Sequence, residues 1–453
     1  MYLNQMPLFK ELNPYSGQID SNNRWIQLAD LVPWDEMETL YLGYFDPSKL
    51  KKVKRCRLMM GLMIGQIVLR LSDIQIVEHF HENPYFQYFC GNDTFVAKGA
   101  TSIIDTSLLS KRRTRLGSQF IQDFECKIIQ SFQDKGLIKG KTLTLDATVF
   151  PANISYPSDI KLLNIARDYC CNAILKVKNA INPDLKVRTY RKRAQKIARQ
   201  FQKTKKKTTL YIRRTRKQML QYLRRNITQL EQLLVELGNR ASSTKNSLKD
   251  WVIQEIKAHL DIAKRIYEQQ FEMARTKGRR VSNRIVSFKQ PQIRPIIRGK
   301  EGKNVEFGAK AHVAIVDGYA MLDDCEFDPY HEGNLLPKSL EKHNNRFKCN
   351  PSLVLADQLY ATRSNRNLLK SEGIEQSFRP IGRPPNISKK EQKKRRSQFK
   401  KRQGKRNHIE GLFGTLKSHY YLDRIRWTVS GGANMQIRMG LIASNLNRAL
   451  VYG

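Results

Sequence analysis

The pattern of apolar and polar residues changes near residue 141, where the alternation of a β-strand begins. In KTLTLDATVF the apolar residues alternate with polar ones, among them Asp146, so the polar side chains share one face of the predicted strand. Two further strand-like runs, 309–316 and 319–327, are separated by Asp317-Gly318, which is a strong hairpin signal. These runs predict a sheet with at least one antiparallel pair.

A further strand is predicted at 352–356, where the apolar run SLVLA ends directly before Asp357. Helical spacing covers about 335–344 and 360–371, and a last helix is predicted to begin near Arg406. Because strands alternate with helices here, we expect an α/β fold for this part of the chain.

The first 135 residues have helical spacing instead and predict an all-α N-terminal domain. Apolar residues recur every three or four positions through 57–71, and the capping box SDIQ at 72–75 opens the next helix. A short helix at 105–116 carries the candidate DNA contacts Arg112 and Arg113. A series of short helices whose last member is basic is typical of a helix-turn-helix that binds duplex DNA. A solvated helix face explains the arginines equally well, so both interpretations stay open.

A helical insertion at 160–285 separates the first strand from the hairpin. Its second half has apolar residues in steps of three and four on both sides of the turn GNRASSTKNS, which predicts an antiparallel coiled-coil hairpin. These residues are Leu220, Leu223, Ile227, Leu230, Leu234 and Leu237, then Ile253, Ile256, Leu260, Ala263 and Tyr267. Residues 186–225 contain 17 Lys and Arg and no Asp or Glu. Because a solvated helix usually mixes both signs, this run, with Lys205, Lys206 and Lys207, predicts phosphate contacts rather than a solvated surface.

The whole chain is strongly basic. Among 453 residues, 81 Lys and Arg stand against 41 Asp and Glu, which gives a formal charge of +40 and predicts a polyanionic partner. A membrane surface is the competing polyanion, but no stretch reaches the roughly 20 apolar residues of a membrane span. The longest candidate, 58–71, contains Gln66 and Arg70. The N-terminus has no signal-peptide pattern, so we expect a cytoplasmic protein that acts on nucleic acid and has no membrane partner.

Three acids are candidates for phosphodiester chemistry. The seven cysteines contain no C-x-x-C pair and the eight histidines are dispersed, so neither a zinc site nor a disulfide framework is indicated. Cleavage with Mg²⁺ needs hard oxygen ligands, and two ions about 3.5–4 Å apart can activate the attacking oxygen and stabilise the leaving one. Asp146 within a strand, Asp357 after a strand and Glu410 on a helix could together form one such site. Taken singly, each acid is more often a surface charge.

Two basic residues near Glu410 are spaced so that they share its helix face. In RNHIEGLFGTLK, Arg406 lies four residues before Glu410 and Lys417 seven after it, so all three project from nearly the same helix face. The acid would then be flanked by cations suited to the scissile phosphates. The alternative is an ordinary surface ion pair between Arg406 and Glu410.

These segments together resemble the DDE transposases of bacterial insertion sequences, whose catalytic domain is RNase H-like. The acids lie in TLTLDATVFPANISYP, VLADQLYATRSNRNLLKSEGI and RNHIEGLFGTLKSHYYLDRIR, and the third keeps the spacing Arg-x3-Glu-x6-Lys. NRIVSFKQPQIRPIIRGKEGKNVEFGAKAHVAIVDG resembles the family's stretch before its second strand, and HFHENPYFQYFCG its N-terminal domain. Two positions depart from the family pattern. Gln403 stands where relatives often have Tyr, and DQLY at 357–360 stands where others have Asp-x-Gly-Tyr.

The resemblance implies a fold and a mechanism. A helical DNA-binding domain at 1–135 would precede an RNase H-like mixed sheet flanked by helices at 136–453, interrupted by the insertion. Asp146, Asp357 and Glu410 would be the catalytic residues and would hold two Mg²⁺ ions, with Mn²⁺ as the alternative. Water would attack a phosphate at the element's end, and the freed 3′-hydroxyl would then attack target DNA while Arg406 and Lys417 hold the strand.

The implied partner is double-stranded DNA, both as terminal inverted repeats and as target, bound by a homodimer in the bacterial nucleoid. A metal-dependent nuclease of the same fold is the nearest alternative, because the acids alone do not distinguish hydrolysis from strand transfer. A nucleic-acid-binding relative without catalysis would explain the charge but not the three ordered acids. A structural coiled-coil protein would explain only residues 210–273.

Overall fold

The chain folds into two units, and the segment predicted as an insertion forms the second one. The computed structural model describes residues 20–96, 104–240, 248–276, 278, 281–300, 303–379, 382 and 388–452. One unit combines the chain up to residue 153 with residues 308–453, and the other spans 154–307. The second unit is thus somewhat longer at both ends than the predicted 160–285.

Among the described residues, six α-helices precede the sheet of the first unit. They are α1 (Arg24–Leu31), α2 (Trp34–Leu42), α3 (Cys56–Leu69), α4 (Asp73–Glu82), α5 (Pro84–Phe89) and α6 (Thr106–Asp134). The predicted capping box is confirmed, because the side chains of Ser72 and Gln75 each accept from the other's backbone N–H. Helix α6 is interrupted at Gly117, whose φ of 66° lies in the left-handed region. Its basic first part therefore ends where the sequence predicted.

Helix α3 is buried on almost all sides. Gly65 lies so close to the ring of Phe86 that a Cβ at this position would overlap it, so the glycine permits the close packing of α3 on α5. Among the described residues, no single helix is long and apolar enough to cross a membrane. One pair, α3 with α4, meets that criterion only jointly, across a bend of 104°.

The sheet is mixed, which agrees with the predicted α/β fold. Its strands are β1 (Thr142–Pro151), β2 (Pro295–Lys300), β3 (Lys303–Val316), β4 (Tyr319–Glu326), β5 (Leu353–Ala356) and β6 (Glu375–Gln376). Within the first unit the order is β4-β3-β1-β5-β6. Strand β3 is antiparallel to β1 and β4, whereas β1, β5 and β6 are parallel. Strand β2 pairs with the first residues of β3 in the second unit.

The hairpin between β3 and β4 turns at the predicted dipeptide. Asp317 and Gly318 both have left-handed backbone angles, with φ of 51° and 97°. Such angles suit the two-residue turns that match the twist of paired strands. The carboxylate of Asp317 also accepts hydrogen bonds from the backbone N–H groups of Lys139, Lys141 and Thr142. The turn residue therefore anchors the start of β1 as well.

In the part of the first unit that the structure describes, five α-helices follow the hairpin. They are α11 (Leu336–Phe347), α12 (Arg363–Ser371), α13 (Lys389–Arg406), α14 (His408–His419) and α15 (Gly432–Tyr452). The predicted helix beginning near Arg406 begins instead at His408, and Arg406 is the last residue of α13. Asn407 at the junction keeps right-handed helical angles, so the side-chain spacing across the junction is close to that of one helix.

The helices before residue 135 share one hydrophobic core with the sheet and with α15. A buried ion pair joins α6 to α15, between Glu125 and Arg438, and the other carboxylate oxygen of Glu125 accepts from the backbone N–H of Leu322 on β4. The predicted domain boundary after residue 135 is therefore not a boundary in the packing. The reason is that α15, from the far end of the chain, is buried along its length between α3, α6 and β4.

The second unit is a helical bundle of α7 (Asp159–Ile181), α8 (Arg191–Lys203), α9 (Thr209–Arg240) and α10 (Asp250–Arg275). Helices α9 and α10 bury the predicted apolar repeat, but they do so together with α7 in one common core. Leu233 is buried while the predicted Leu234 is only partly buried. The predicted two-helix hairpin is thus part of a larger bundle, and the centre of its turn, 241–247, lies outside the described residues.

Candidate active site

The parallel strands β1 and β5 bring Asp146 and Asp357 to neighbouring positions. Leu145 on β1 is opposite Ala356 on β5. Asp146 is the next residue on β1, and Asp357 is the first residue after β5, so both acids lie one step beyond the paired residues. The Asp357 carboxylate accepts from the backbone N–H of Gln358 at 2.6 Å and so caps a 3₁₀ turn over Gln358–Tyr360. Strand β5 ends here because the chain turns at Asp357.

The carboxylate of Asp146 is largely buried. Its Oδ1 accepts from the backbone N–H of Ala147 at 2.8 Å. Burial raises the pKa of Asp146 and the hydrogen bond from Ala147 lowers it, while the carboxylates of Glu332 and Asp357 raise the pKa and Arg406 lowers it, so that it lies at about 6. The site therefore disfavours a further negative charge and favours a cation.

Helices α13 and α14 present two cations to the polar face of β1. The Arg406 guanidinium lies 3.9 Å from Oδ2 of Asp146 and 3.1 Å from Oε1 of Glu410. Lys417 donates to the hydroxyl of Thr148 at 3.2 Å, and Thr148 is on the same face of β1 as Asp146. The helical angles at Asn407 explain why Arg406 still reaches Glu410 across the helix junction.

Glu410 is the most exposed of the three predicted acids. Its side chain is 61% exposed, and its carboxylate accepts from Arg406, which in turn approaches Asp146. Within the described part of the chain, no three His, Cys, Asp or Glu side chains are grouped so that they could hold a metal ion together. The structure thus brings together Asp146, Asp357, Arg406 and Lys417, and it links Glu410 to them through Arg406.

Glu332 is a fourth acid at this site that the sequence did not indicate. It begins a 3₁₀ turn over Glu332–Leu335, and its carboxylate forms an ion pair with Lys310 at 2.8 Å in which both side chains are mostly buried. The amide of Asn365 donates to the carbonyl oxygens of Gly333 and Tyr360, at 2.7 and 2.8 Å, and so ties this turn to the loop after Asp357. Glu332 lies between the hairpin and a helix with no periodic pattern around it, so no local signal could have identified it.

One departure from the family pattern, Gln403, has a structural role, and the other, Leu359 at the glycine position of Asp-x-Gly-Tyr, is 54% exposed. The Gln403 amide donates to the carbonyl of Ser377 at 3.0 Å, and its oxygen accepts from the Arg406 Nε at 3.3 Å. Gln403 therefore orients Arg406. Tyr360, at the end of the DQLY segment, is buried, and its hydroxyl lies 2.9 Å from Nε2 of His312 on β3. This contact fixes the turn that follows Asp357.

The other predicted DNA contacts differ in accessibility. Lys205, Lys206 and Lys207 are exposed on the loop between α8 and α9 in the second unit. Arg112 is partly buried and stacks on the ring of Phe45 at 4.5 Å. Arg113 is buried, forms an ion pair with Asp73 and lies over the ring of Trp427. Its guanidinium is thus engaged inside the protein, which corrects its assignment as a DNA contact.

Known proteins match both ends of the first unit. Residues 354–439 match a family model described as Transposase DDE domain, and residues 13–115 match one described as Transposase domain (DUF772). The first of these includes Asp357, Arg406, Glu410 and Lys417. The uncharacterized protein ORF8 in the nfe locus of Rhizobium meliloti is 30% identical over 147 residues, which are 32% of this chain and 69% of that protein. No solved structure matches the chain.

Proposed function

Because the chain belongs to the DDE transposases of insertion sequences, we propose that it cleaves DNA at the ends of its element and joins the freed 3′ ends to target DNA. DNA is the partner that the family implies, and divalent metal ions are its usual cofactors. The observation that most supports the proposal is the pairing of β1 with β5, because it sets Asp146 beside Asp357. We include the RNase H-like class in the proposal, since the acid-bearing β1 lies between antiparallel β3 and parallel β5.

The residues at this site fit divalent metal ions in their chemistry. Mg²⁺ prefers carboxylate oxygens, and Asp146 and Asp357 offer these at neighbouring positions. Burial penalises the charge of Asp146 unless a cation compensates it. We assign two Mg²⁺ ions, with Mn²⁺ as the alternative, to Asp146 and Asp357, and Glu410 would join them by exchanging the Arg406 guanidinium for an ion. Bound ions would activate the attacking oxygen and stabilise the leaving one.

Arg406 and Lys417 would hold the DNA strand next to these acids. The planar guanidinium of Arg406 can contact two phosphate oxygens at once, and Gln403 already orients it through Nε. Lys417 is held over β1 by its hydrogen bond to Thr148, so it supplies a positive charge on the same face as Asp146. In this arrangement the cations would position the scissile phosphate and stabilise the charge that develops during its displacement.

The test is cleavage of a duplex that carries the element's own end, which is identified by sequencing the DNA beside the gene for inverted repeats. Asp146→Asn, Asp357→Asn and Glu410→Gln should each abolish Mg²⁺-dependent cleavage and leave duplex affinity nearly unchanged. The matched control is Asp93→Asn, because Asp93 is an exposed acid of the same unit. Full cleavage by any of the three variants would remove that residue from the site.

A second assay separates transposition from hydrolysis. Pre-cleaved ends with a free 3′-hydroxyl should be joined to a plasmid target by the wild type and not by Asp146→Asn. Cleavage without joining would favour a nuclease of the same fold. The mass of the protein–DNA complex in solution tests the homodimer that we propose on paired ends.

A further inference from the structure

The second unit contains a groove of about 1230 Å³ between the first residues of α7 and parts of α8, α9 and α10. Buried apolar side chains form its floor, among them Ile160, Phe201, Leu220 and Met273. Pockets for one small molecule measure about 300–1,000 Å³. The groove therefore has room for a ligand longer than a single small molecule.

An aromatic pair stands at the rim of this groove. Tyr267 and Phe271 are one turn apart on α10, and their rings stack with centroids 5.8 Å apart and planes inclined by 19°. Phe271 is 51% exposed, although its ring would gain free energy by burial. Exposed aromatic rings in a basic groove are the surface on which unpaired nucleic-acid bases stack. The pair therefore offers a stacking platform.

The charge of the groove is almost entirely positive. Asp159 is the one acid among its described lining residues. Both carboxylate oxygens of Asp159 are already engaged, by Arg216 at 2.8 Å and by Arg284 at 2.7 Å. The acid is thus compensated within the protein and does not repel an anionic ligand.

A row of further cations lies along α9. Arg213, Lys217 and Arg224 are four and seven residues apart, so they project from one helix face over about 16 Å. All three are exposed, and no acidic partner is found for them among the described residues. Such a row can follow a strand over more than one phosphate.

We infer that this groove binds a short single-stranded DNA segment, with bases on Tyr267 and Phe271 and phosphates on the cations of α9. A duplex could reach the cations, but its bases are stacked inside and cannot use the aromatic pair. The inference rests on the proposed function, because a transposase meets unpaired nucleotides at the cleaved ends of its element.

The test measures the affinity of the full chain for fluorescein-labelled oligothymidine and for a duplex of the same length, at fixed salt. Phe271→Ala should weaken oligothymidine binding about tenfold and leave duplex binding nearly unchanged. Phe271→Tyr should bind like the wild type, whereas Phe271→Leu should resemble the alanine variant, because leucine keeps apolar volume without a ring. Trp251→Ala is the matched control, since Trp251 is a 65% exposed aromatic residue on the same helix but outside the groove.

The cations have a separate measurement. Lys217→Gln should reduce the log–log salt slope for oligothymidine by about 0.7, the value for one phosphate contact on a single strand. Lys176→Gln is its control, because Lys176 is exposed on α7 and does not line the groove. An unchanged slope for Lys217→Gln would remove this row from the site.

The outcomes separate the two proposals. Two results would overturn the single-strand groove and leave the cleavage proposal intact. One is an equal loss of oligothymidine affinity in Phe271→Ala and Trp251→Ala. The other is a loss of duplex affinity in Phe271→Ala as large as its loss of oligothymidine affinity. Asp146→Asn should bind oligothymidine like the wild type. If the wild type neither cleaved element-end DNA nor joined its ends to a target, the proposed function would fail while the groove measurements kept their meaning.

Discussion

Replacing Asp146 with asparagine should stabilise the metal-free protein at neutral pH, because the wild-type carboxylate is charged there in a site that disfavours charge. Burial, with Glu332 and Asp357 nearby, raises the pKa of Asp146 from 3.8 to about 6. At about 1.36 kcal/mol per pKa unit, this difference in pKa corresponds to about 3 kcal/mol of stability. Asparagine can keep the hydrogen bond from the N–H of Ala147, so the substitution removes the charge and retains that contact.

The pH dependence follows from protonation of this carboxyl group. Its folded pKa lies above its unfolded pKa, so at pH below 3.8 both states carry the proton and the penalty is absent. The wild type loses this stability as the pH rises through about 6. The free energy of unfolding of Asp146→Asn minus that of the wild type should therefore grow from near zero at pH of about 3.5 to about 3 kcal/mol at pH of about 7.5.

The assay is urea unfolding of both proteins at several pH values in the presence of a chelator, with Asp93→Asn as the exposed control. Added Mg²⁺ should then stabilise the wild type and not Asp146→Asn, since a ligand that binds only the native state shifts unfolding by mass action. A difference that stays constant with pH, or a less stable variant at neutral pH, would refute the reasoning from burial. Equal stabilisation of both by Mg²⁺ would show that the ion binds elsewhere.

Further predictions concern the cations. Lys417→Ala should slow single-turnover cleavage far more than it weakens DNA binding, because many other cations contribute to affinity; equal losses in both measurements would contradict this. Arg406→Lys should also slow cleavage, since lysine cannot reproduce the planar two-pronged contact, and a wild-type rate would argue against that contact. Neutralising Lys205–Lys207 together should lower the salt slope of duplex binding by about 0.9 for each lysine on a phosphate, whereas an unchanged slope would indicate a solvated loop. Arg113→Met should reduce the free energy of unfolding by about 3 kcal/mol in denaturant titrations, because it leaves Asp73 without its buried partner. DNA affinity should not change. A stable variant with weaker DNA binding would show instead that Arg113 is a DNA contact.

The sequence by itself determined the features that depend on short stretches of chain. The strand around Asp146, the hairpin at Asp317-Gly318, the capping box at Ser72 and the end of a helix at Leu116 all appear as predicted. Each of them depends on side-chain periodicity or turn chemistry within a few residues, so local sequence is sufficient. The predicted family is also confirmed by the two family models. It could be predicted from the sequence because its motifs are local as well.

Only the tertiary structure decided which of these elements meet. The pairing of β1 with β5 sets Asp146 beside Asp357, and the packing of a 3₁₀ turn against the loop after Asp357 adds Glu332 to the same site. No short pattern encodes such contacts, because they depend on which apolar faces bury each other across the whole chain. Arg113 is a second case in which the local sequence did not reveal the tertiary contacts. Its sequence suits a basic helix surface, but the packing of Asp73 and Trp427 around it makes it a buried residue.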